Sequence, residues 1–228
     1  MNHVLDNPIW NALNSGDVDK NIGSQEIAFF DSSIAPFIGM DKWDTNSQQG
    51  LLMNAPADRN WYLLIGDTIR WNDDFEILLH IPLYQMCCTK SPLMPNRKYN
   101  TEIVALNDTH IDEMVQLTAL TKPGPFTNRT IDFGNYHGIF VDGKLVAMGG
   151  ERMHVHNYTE VSAICTHPDY RGLGYAAMIT HYITQSIVQK GQIPFLHSRV
   201  DNMSAIEVYK KLGFEIRETI QFYSFKKK

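Results

Sequence analysis

The chain has 228 residues, of which 43% are hydrophobic and 20% are charged, so it is long enough to bury a core in one or two domains. Its net charge is −5 and its pI is about 6.0, without a basic stripe, which argues against nucleic acid or an anionic membrane as a partner. The sequence shows no signal peptide, and no apolar run approaches the roughly 18 residues that span a membrane. Three cysteines do not make a disulfide framework, so a cytoplasmic protein is predicted.

Residues 1–100 predict a small α/β unit without a recognisable chemical motif. Asn7 and Pro8 are typical of a helix start, as N-cap and first helical residue. A second helix is expected at residues 44–54, a short strand or apolar turn at 27–30, a buried strand at 61–65, and a strand followed by another at 75–88. The proline-bearing stretch 91–98 is the candidate linker, so we expect an N-terminal α/β domain at 1–95 and a second domain at 100–228.

From residue 99 onward the pattern is more regular and predicts a mixed sheet with helices packed on it. Thr109 is expected to cap a helix, with Asp112 completing a weak capping box. Asp142 and Gly143 predict a hairpin turn, and Asn202 predicts a helix N-cap. Strands are expected at residues 102–106, 136–141, 144–154, 159–166, 194–199, 214–217 and 219–225, helices at 109–119, 177–190 and 202–213, and a stiff proline-bearing loop at 122–126.

The turn between the strand at 159–166 and the helix at 177–190 carries the clearest chemical signal. Gly172 and Gly174 let the backbone approach a ligand closely. The helix N-terminus that follows has N–H groups without helical partners and a dipole that favours negative charge. The stretch therefore predicts a phosphate-binding site, with an ordinary structural turn as the open alternative. It is neither a P-loop nor a dinucleotide-binding glycine motif.

Residues 171–176, Arg-Gly-Leu-Gly-Tyr-Ala, resemble the acyl-CoA pyrophosphate loop of the GNAT superfamily of N-acetyltransferases, and residues 201–215 resemble its second signature. The resemblance extends over residues 100–226. Residues 160–171 are most similar to the C-terminal domain of glycine N-acyltransferase-like enzymes, whose N-terminal half is a degenerate copy of the fold. The resemblance implies an α/β (α+β) fold with a mixed, mostly antiparallel sheet flanked by helices, acetyl-CoA as co-substrate, and no metal.

The resemblance also implies which residues hold acetyl-CoA. The pantetheine arm is expected along the backbone of residues 164–166, like an added strand, and the loop amides are expected to hold the diphosphate. Tyr209 is implied as the acid that protonates the leaving thiolate, although a tyrosine at this position is also an ordinary helix-core residue. The implied cofactor-binding residues are Ile164, Cys165, Thr166, Arg171, Gly172, Leu173, Gly174, Tyr175, Ala176, Asn202 and Tyr209.

Acyl transfer to an amine also asks for a base and for acceptor contacts. Glu160 lies where the glycine N-acyltransferases carry their proposed base, with a solvated strand-end glutamate as the alternative role and Glu151 as the reserve candidate. Acceptor contacts are expected from loops that face the thioester, and Arg129 is predicted to meet a carboxylate or phosphate on the acceptor. The expected substrate-binding residues are Phe126, Arg129, Tyr136 and His197.

Other chemistry finds less support in the sequence. Cys165 could act as a nucleophile, but a small apolar residue in a central strand is the favoured role. His154 and His156 alternate on one strand without a recognisable third metal ligand. The prediction is an enzyme that acetylates a primary amine of a small molecule or amino acid by direct attack in a ternary complex, as a monomer or homodimer. The alternatives are a non-catalytic acyl-CoA-binding sensor or structural module, and a nucleotide-binding domain.

Overall fold

The computed structural model describes residues 3–93 and 101–228, so residues 94–98 of the predicted linker lie outside the described residues. The helices are α1 (Pro8–Leu13), α2 (Thr45–Asn54), α3 (Ile111–Thr121), α4 (Tyr175–Gln189) and α5 (Met203–Lys211). The strands are β1 (Ala28–Phe29), β2 (Ile38–Gly39), β3 (Trp61–Ile65), β4 (Phe75–Cys87), β5 (Val104–Ala105), β6 (His137–Val141), β7 (Lys144–Val155), β8 (Tyr158–Thr166), β9 (Ile193–Arg199) and β10 (Glu215–Lys227).

One mixed sheet of eight strands organises the chain, in the order β3-β10-β4-β9-β8-β7-β6-β5, and β1 and β2 form a separate ribbon. Neighbouring strands of the large sheet are antiparallel except β8 and β9, which are parallel. The expectation of a mostly antiparallel sheet flanked by helices is therefore confirmed. The sheet also crosses the expected domain boundary at residue 95, because β10 lies between β3 and β4 and strands from both expected domains share one ladder.

The two faces of the sheet bury different parts of the chain. On β9, Phe195 and Leu196 point to opposite faces because successive strand residues alternate. Leu196 belongs to a cluster with Ile183 of α4. Phe195 belongs to a second cluster with Ile9 of α1 and other N-terminal residues. The N-terminal segments thus cover one face of the sheet near β9, and α4 covers the other.

Several elements differ in extent from the prediction. The two strands expected at 75–88 form one strand, β4, in which Pro82 is tolerated because pairing with β9 begins only at Leu83. The two final strands also form one, β10, with a register irregularity between Ile216 and Glu218. Asn107, rather than Thr109, supplies the cap before α3, because its Oδ1 accepts a hydrogen bond from the Thr109 amide at 3.0 Å.

Of three other local predictions, two are confirmed and the third is confirmed in position only. The Asn202 side chain accepts from the Ala205 amide and caps α5 as expected. Asp142 and Gly143 have positive φ values of 50° and 75°, which is the backbone of the predicted hairpin turn between β6 and β7. Asn7 precedes α1, but its side chain binds the Met40 carbonyl instead of capping the helix.

A gap opens in the sheet between β8 and β9. Their parallel pairing covers only three residue pairs and ends at Glu160 opposite Phe195. Beyond that point β8 stays paired with β7 through Thr166, and β9 stays paired with β4 through Arg199. Because each strand follows its other neighbour, the two strands separate and leave a free edge on residues 161–166 of β8, as far as the described residues show.

Candidate functional site

The glycine turn between β8 and α4 has an open backbone. Gly172 and Gly174 have φ values of 77° and 85°, a region that L side chains rarely adopt, and Gly174 is the N-cap of α4. A Cβ atom at either position would meet no other atom within 4 Å. The exposed amides at this helix start and the neighbouring, exposed Arg171 therefore form a positively polarised surface with room for an anionic group.

The free edge of β8 supplies a second binding surface. Ala163 has a φ of 54° and lies in a bulge, where the register with β7 shifts between Met148 opposite Cys165 and Gly150 opposite Ser162. At the end of the strand the Thr166 hydroxyl is buried and has no hydrogen-bond partner among the described residues. A buried hydroxyl without a hydrogen bond costs free energy. A ligand that lies along this edge would supply the missing hydrogen-bond partner.

Cys165 and Tyr209 lie close to each other near the gap. Burial raises the pKa of Cys165 to about 11, so the thiol is protonated at neutral pH and the packed role predicted for it is the consistent one. Burial, with a smaller effect from Cys165, raises the pKa of Tyr209 to about 12. The Tyr209 ring packs edge-to-face on Phe214 at 6.1 Å. Tyr209 is therefore protonated at neutral pH, which is the state that its predicted role as a proton donor requires.

Glu160 lies at the point where β8 and β9 separate, and it is fully buried. Arg152 donates two hydrogen bonds to its two carboxylate oxygens, at 2.7 and 2.8 Å. His197 Nδ1 lies 2.7 Å from Oε1. Burial alone would raise the pKa of Glu160, but the charge and hydrogen bonds of Arg152 and the contact with His197 outweigh it and lower the pKa to about 2. The carboxylate is therefore ionised, with both oxygens engaged, which is unfavourable for a direct base.

The tautomer of His197 follows from its second partner, Gln85. The Oε1 atom of Gln85 accepts from Arg217, so its Nε2 is the donor, and that nitrogen donates to the Leu5 carbonyl at 2.9 Å. His197 Nε2, 3.0 Å from the same nitrogen, must therefore accept. The proton of the neutral imidazole then lies on Nδ1 and points at Glu160.

A cavity of about 440 Å³ opens beside this cluster. Its wall is shared between N-terminal and C-terminal segments, and its charged side chains are all basic. Arg152 lies over the ring of Phe37 with 4.9 Å between the guanidinium carbon and the ring centre. The lining residues are Phe37, Tyr62, Leu64, Leu79, Ile81, Leu83, Lys122, Pro123, Gly124, Pro125, Arg152, His197, Arg199, Phe222 and Ser224.

Among the expected substrate-binding residues, His197 lines this cavity and the other three do not. Tyr136 is buried against Gly150, and its hydroxyl has no hydrogen-bond partner among the described residues. Phe126 packs edge-to-face on it at 5.8 Å. Arg129 is exposed and pairs with Asp132 at 2.7 Å, and its contact with an acceptor anion stays a prediction.

Sequence reasoning missed most of the cavity wall. The sequence predicts a stiff loop for the proline-bearing segment that contributes Lys122, but Arg152 and Arg199 belong to no motif. The N-terminal residues Phe37 and Tyr62 read as ordinary apolar side chains. Most of these wall residues share only their place in the sheet, because the strand order brings β3, β4, β9 and β10 together.

Polar side chains on β7 have structural partners. His154 bridges the buried Asp17 at 2.9 Å and Glu151 at 3.4 Å. Burial alone would lower the pKa of His154, but its hydrogen bonds to these carboxylates outweigh it and raise the pKa to about 9. Glu151, the reserve base, also binds Lys190 at 2.8 Å. Within residues 3–93 and 101–228, no group of three or more histidine, cysteine, aspartate or glutamate side chains is arranged to hold a metal ion.

The mixed sheet with its gap between β8 and β9 and the glycine turn are typical of acyltransferases of the GNAT class, and comparisons with known proteins agree. The FR47-like protein family profile matches residues 136–223. A protein from Novosphingobium aromaticivorans that is assigned to the GNAT family as an acetyltransferase is 31% identical, with a TM-score of 0.89 and 100% of both chains covered. The chain belongs to the GNAT family.

More distant structures share the fold alone. A GCN5-related N-acetyltransferase from Kribbella flavida is 16% identical, with a TM-score of 0.65 over 95% of this chain and 93% of that chain. A GNAT-family acetyltransferase from Colwellia psychrerythraea is 13% identical, with a TM-score of 0.53 over 95% of this chain and 97% of that one. A search of the curated proteins found no match. No helix among the described residues is long and apolar enough to cross a membrane.

Proposed function

We propose that this protein acetylates the primary amine of a small molecule or amino acid, with acetyl-CoA as the donor and direct attack in a ternary complex. The observation that carries the proposal is the gap between β8 and β9. The glycine turn follows the end of β8, where it would bind an anion, and the cavity adjoins the gap through His197, which lines the cavity and contacts Glu160 where the strands separate. A thioester held along β8 would therefore reach an amine bound in the cavity.

The residues implied by the family resemblance fit acetyl-CoA. The amides of residues 171–176 would hold the diphosphate, and the open space above Gly172 and Gly174 leaves room for it. The free edge of β8 and the unpaired Thr166 hydroxyl suit the amide groups of an extended pantetheine arm. Tyr209, with a pKa of about 12, would give its proton to the leaving thiolate.

Glu160 has a different role in this proposal from the base predicted by resemblance. With its pKa near 2 and both oxygens engaged, it positions Arg152 and His197 at the cavity wall. We expect Glu160→Gln to lower the free energy of unfolding by roughly 3 kcal/mol, because it leaves the Arg152 charge buried without its partner. If Glu160→Gln abolished turnover without loss of stability in urea unfolding, Glu160 would be the base after all.

A binding screen followed by an activity assay tests the function. We expect acetyl-CoA to raise the melting temperature, ATP and NAD to leave it unchanged, and at least one amine to release CoA thiol. Acetyl-CoA binding without thiol release from any amine would indicate the non-catalytic sensor. Stabilisation by ATP or NAD alone would indicate a nucleotide-binding domain.

The narrower similarity to glycine N-acyltransferase-like enzymes rests on residues 160–171 and remains part of this proposal. So do a cytoplasmic location and a monomeric or homodimeric state. Size-exclusion chromatography with light scattering measures the latter directly.

A further inference from the structure

The charges of the cavity wall restrict what can enter it. Lys122, Arg152 and Arg199 are its charged residues, and no lining residue is acidic. The nearest buried carboxylate, Glu160, already has both oxygens engaged by Arg152 and His197. A second ammonium group on an acceptor would therefore meet cations and no free carboxylate.

Two of these cations are available to an anion. Arg199 pairs with Asp201 at 2.8 Å, but both side chains are exposed, and such a pair exchanges readily with a ligand. Lys122 ends α3 in the left-handed conformation, is exposed, and has no ion pair among the described residues. Arg152, in contrast, is compensated by Glu160.

The rest of the wall is apolar and includes three aromatic rings. Tyr62 packs edge-to-face on Phe37 at 6.3 Å and on Phe222 at 5.3 Å. Leu64 and Leu83 extend the same surface. A bulky apolar or aromatic group would lose its contact with water here, whereas a small polar acceptor would leave most of the cavity unfilled.

We propose that the acceptor is a primary amine that carries a bulky apolar group and a carboxylate or other anionic group, and that polyamines are rejected. The proposal rests on the proposed function. In the transfer, the neutral amine nitrogen bonds to the acyl carbon and the C–S bond breaks. The nitrogen loses one proton and the thiolate gains one, giving an amide and CoA thiol. The nearby cations favour the neutral form of the amine, so they assist the attack without a dedicated carboxylate base.

Three amines test the proposal by thiol release. Phenylalanine and phenethylamine are a matched pair, because the second lacks only the carboxylate, and spermidine represents the polyamines. We expect kcat/KM for phenylalanine to exceed that for phenethylamine by at least about tenfold, as for a charge-assisted contact, with spermidine lowest. Lys122→Met and Arg199→Met should each lower kcat/KM for phenylalanine by a larger factor than kcat/KM for phenethylamine, and equal factors would count against the anion contact. Lys144→Met is the control, because this exposed lysine at the start of β7 does not line the cavity.

The outcomes separate this proposal from the proposed function. Thiol release that is equal with phenethylamine, or greater with spermidine, would overturn the acceptor class and leave the acetyltransferase intact. Absence of thiol release from every amine would count against catalysis instead. The acceptor class is then decided by binding: with CoA present, N-acetylphenylalanine should raise the melting temperature more than N-acetylphenethylamine, and equal shifts would refute it.

Discussion

The two sides of the gap between β8 and β9, which we propose to be a donor side that binds acyl-CoA and an acceptor side that binds the amine, are built in different ways. The donor side comes from β8, the glycine turn and α4, which are continuous in the chain, and from α5, which follows β9. Its surface is mostly backbone: a free strand edge, open glycines and a helix N-terminus. The acceptor side is made of side chains that the topology collects from β3, β4, β7, β9, β10 and the loop after α3.

This difference separates binding of the donor, which a whole family can share, from selection of the acceptor, which can be particular to one chain. A backbone surface would bind the constant part of acyl-CoA and would tolerate changes in neighbouring side chains. A side-chain surface changes with each substitution and so can select an acceptor. We therefore expect mutations on the donor side to affect every reaction equally, and mutations on the acceptor side to affect acceptors unequally.

The largest effect is expected from Tyr209→Phe on the donor side. Loss of a general acid lowers kcat by about 100-fold or more, and it should do so for all acceptors alike. Acetyl-CoA affinity should stay unchanged, because the ring still packs on Phe214. Tyr182→Phe is the matched control, since Tyr182 is exposed on α4. Full activity of Tyr209→Phe in stopped thiol-release assays would remove the general acid from the mechanism.

The second prediction concerns pH, because His154 and Asp17 join the N-terminal half to β7. The pKa of His154 is about 9 in the folded protein against 6.5 unfolded, so the folded state binds more protons between these values. The protonated His154 contributes on the order of 3 kcal/mol to the free energy of unfolding. This contribution is fully present below pH 6.5 and is lost as the pH rises through about 9.

Urea unfolding over this pH range measures the effect. His154→Gln should remove most of the alkaline loss of stability, whereas His156→Asn, at an exposed position with a φ of 52° that asparagine tolerates, should retain it. Equal pH profiles for wild type and His154→Gln would show that this ion pair does not stabilise the fold.

The same difference explains how much the sequence could predict. The glycine turn, the Asn202 cap and the hairpin at Asp142 depend on local backbone geometry, so local patterns indicate them. The cavity could not be predicted, because Tyr62 on β3 and Arg199 on β9 line the same cavity only when β10 and β4 complete the sheet between these two strands. The sequence predicts Glu160 as a site residue, but its ion pair with Arg152 depends on the register of β7 and β8, which places the two residues opposite each other.

The third prediction tests whether the donor side is a backbone surface. Gly174→Ala and Gly143→Ala both place a Cβ atom at a positive φ, 85° and 75°, in open space, so each should cost about 1 kcal/mol of stability. Only Gly174→Ala should also weaken acetyl-CoA binding, by roughly tenfold, because its methyl group occupies the ligand's approach. Isothermal titration calorimetry gives the affinities. Equal affinities for the two variants would mean that the turn is merely structural.

The smallest change in stability and activity is expected from Tyr136→Phe. Tyr136 lies where the donor side and the acceptor side meet. Its pKa is raised by burial, and its electrostatic neighbours include Arg152, Glu160 and Cys165. Because its hydroxyl is buried without a partner among the described residues, Tyr136→Phe should stabilise the free protein by about 1 kcal/mol. If the hydroxyl meets the acceptor, as the sequence predicts, KM for the acceptor should rise while acetyl-CoA affinity stays constant. A variant that gains stability and keeps its acceptor KM would make Tyr136 a packing residue, and the acceptor side would end at His197.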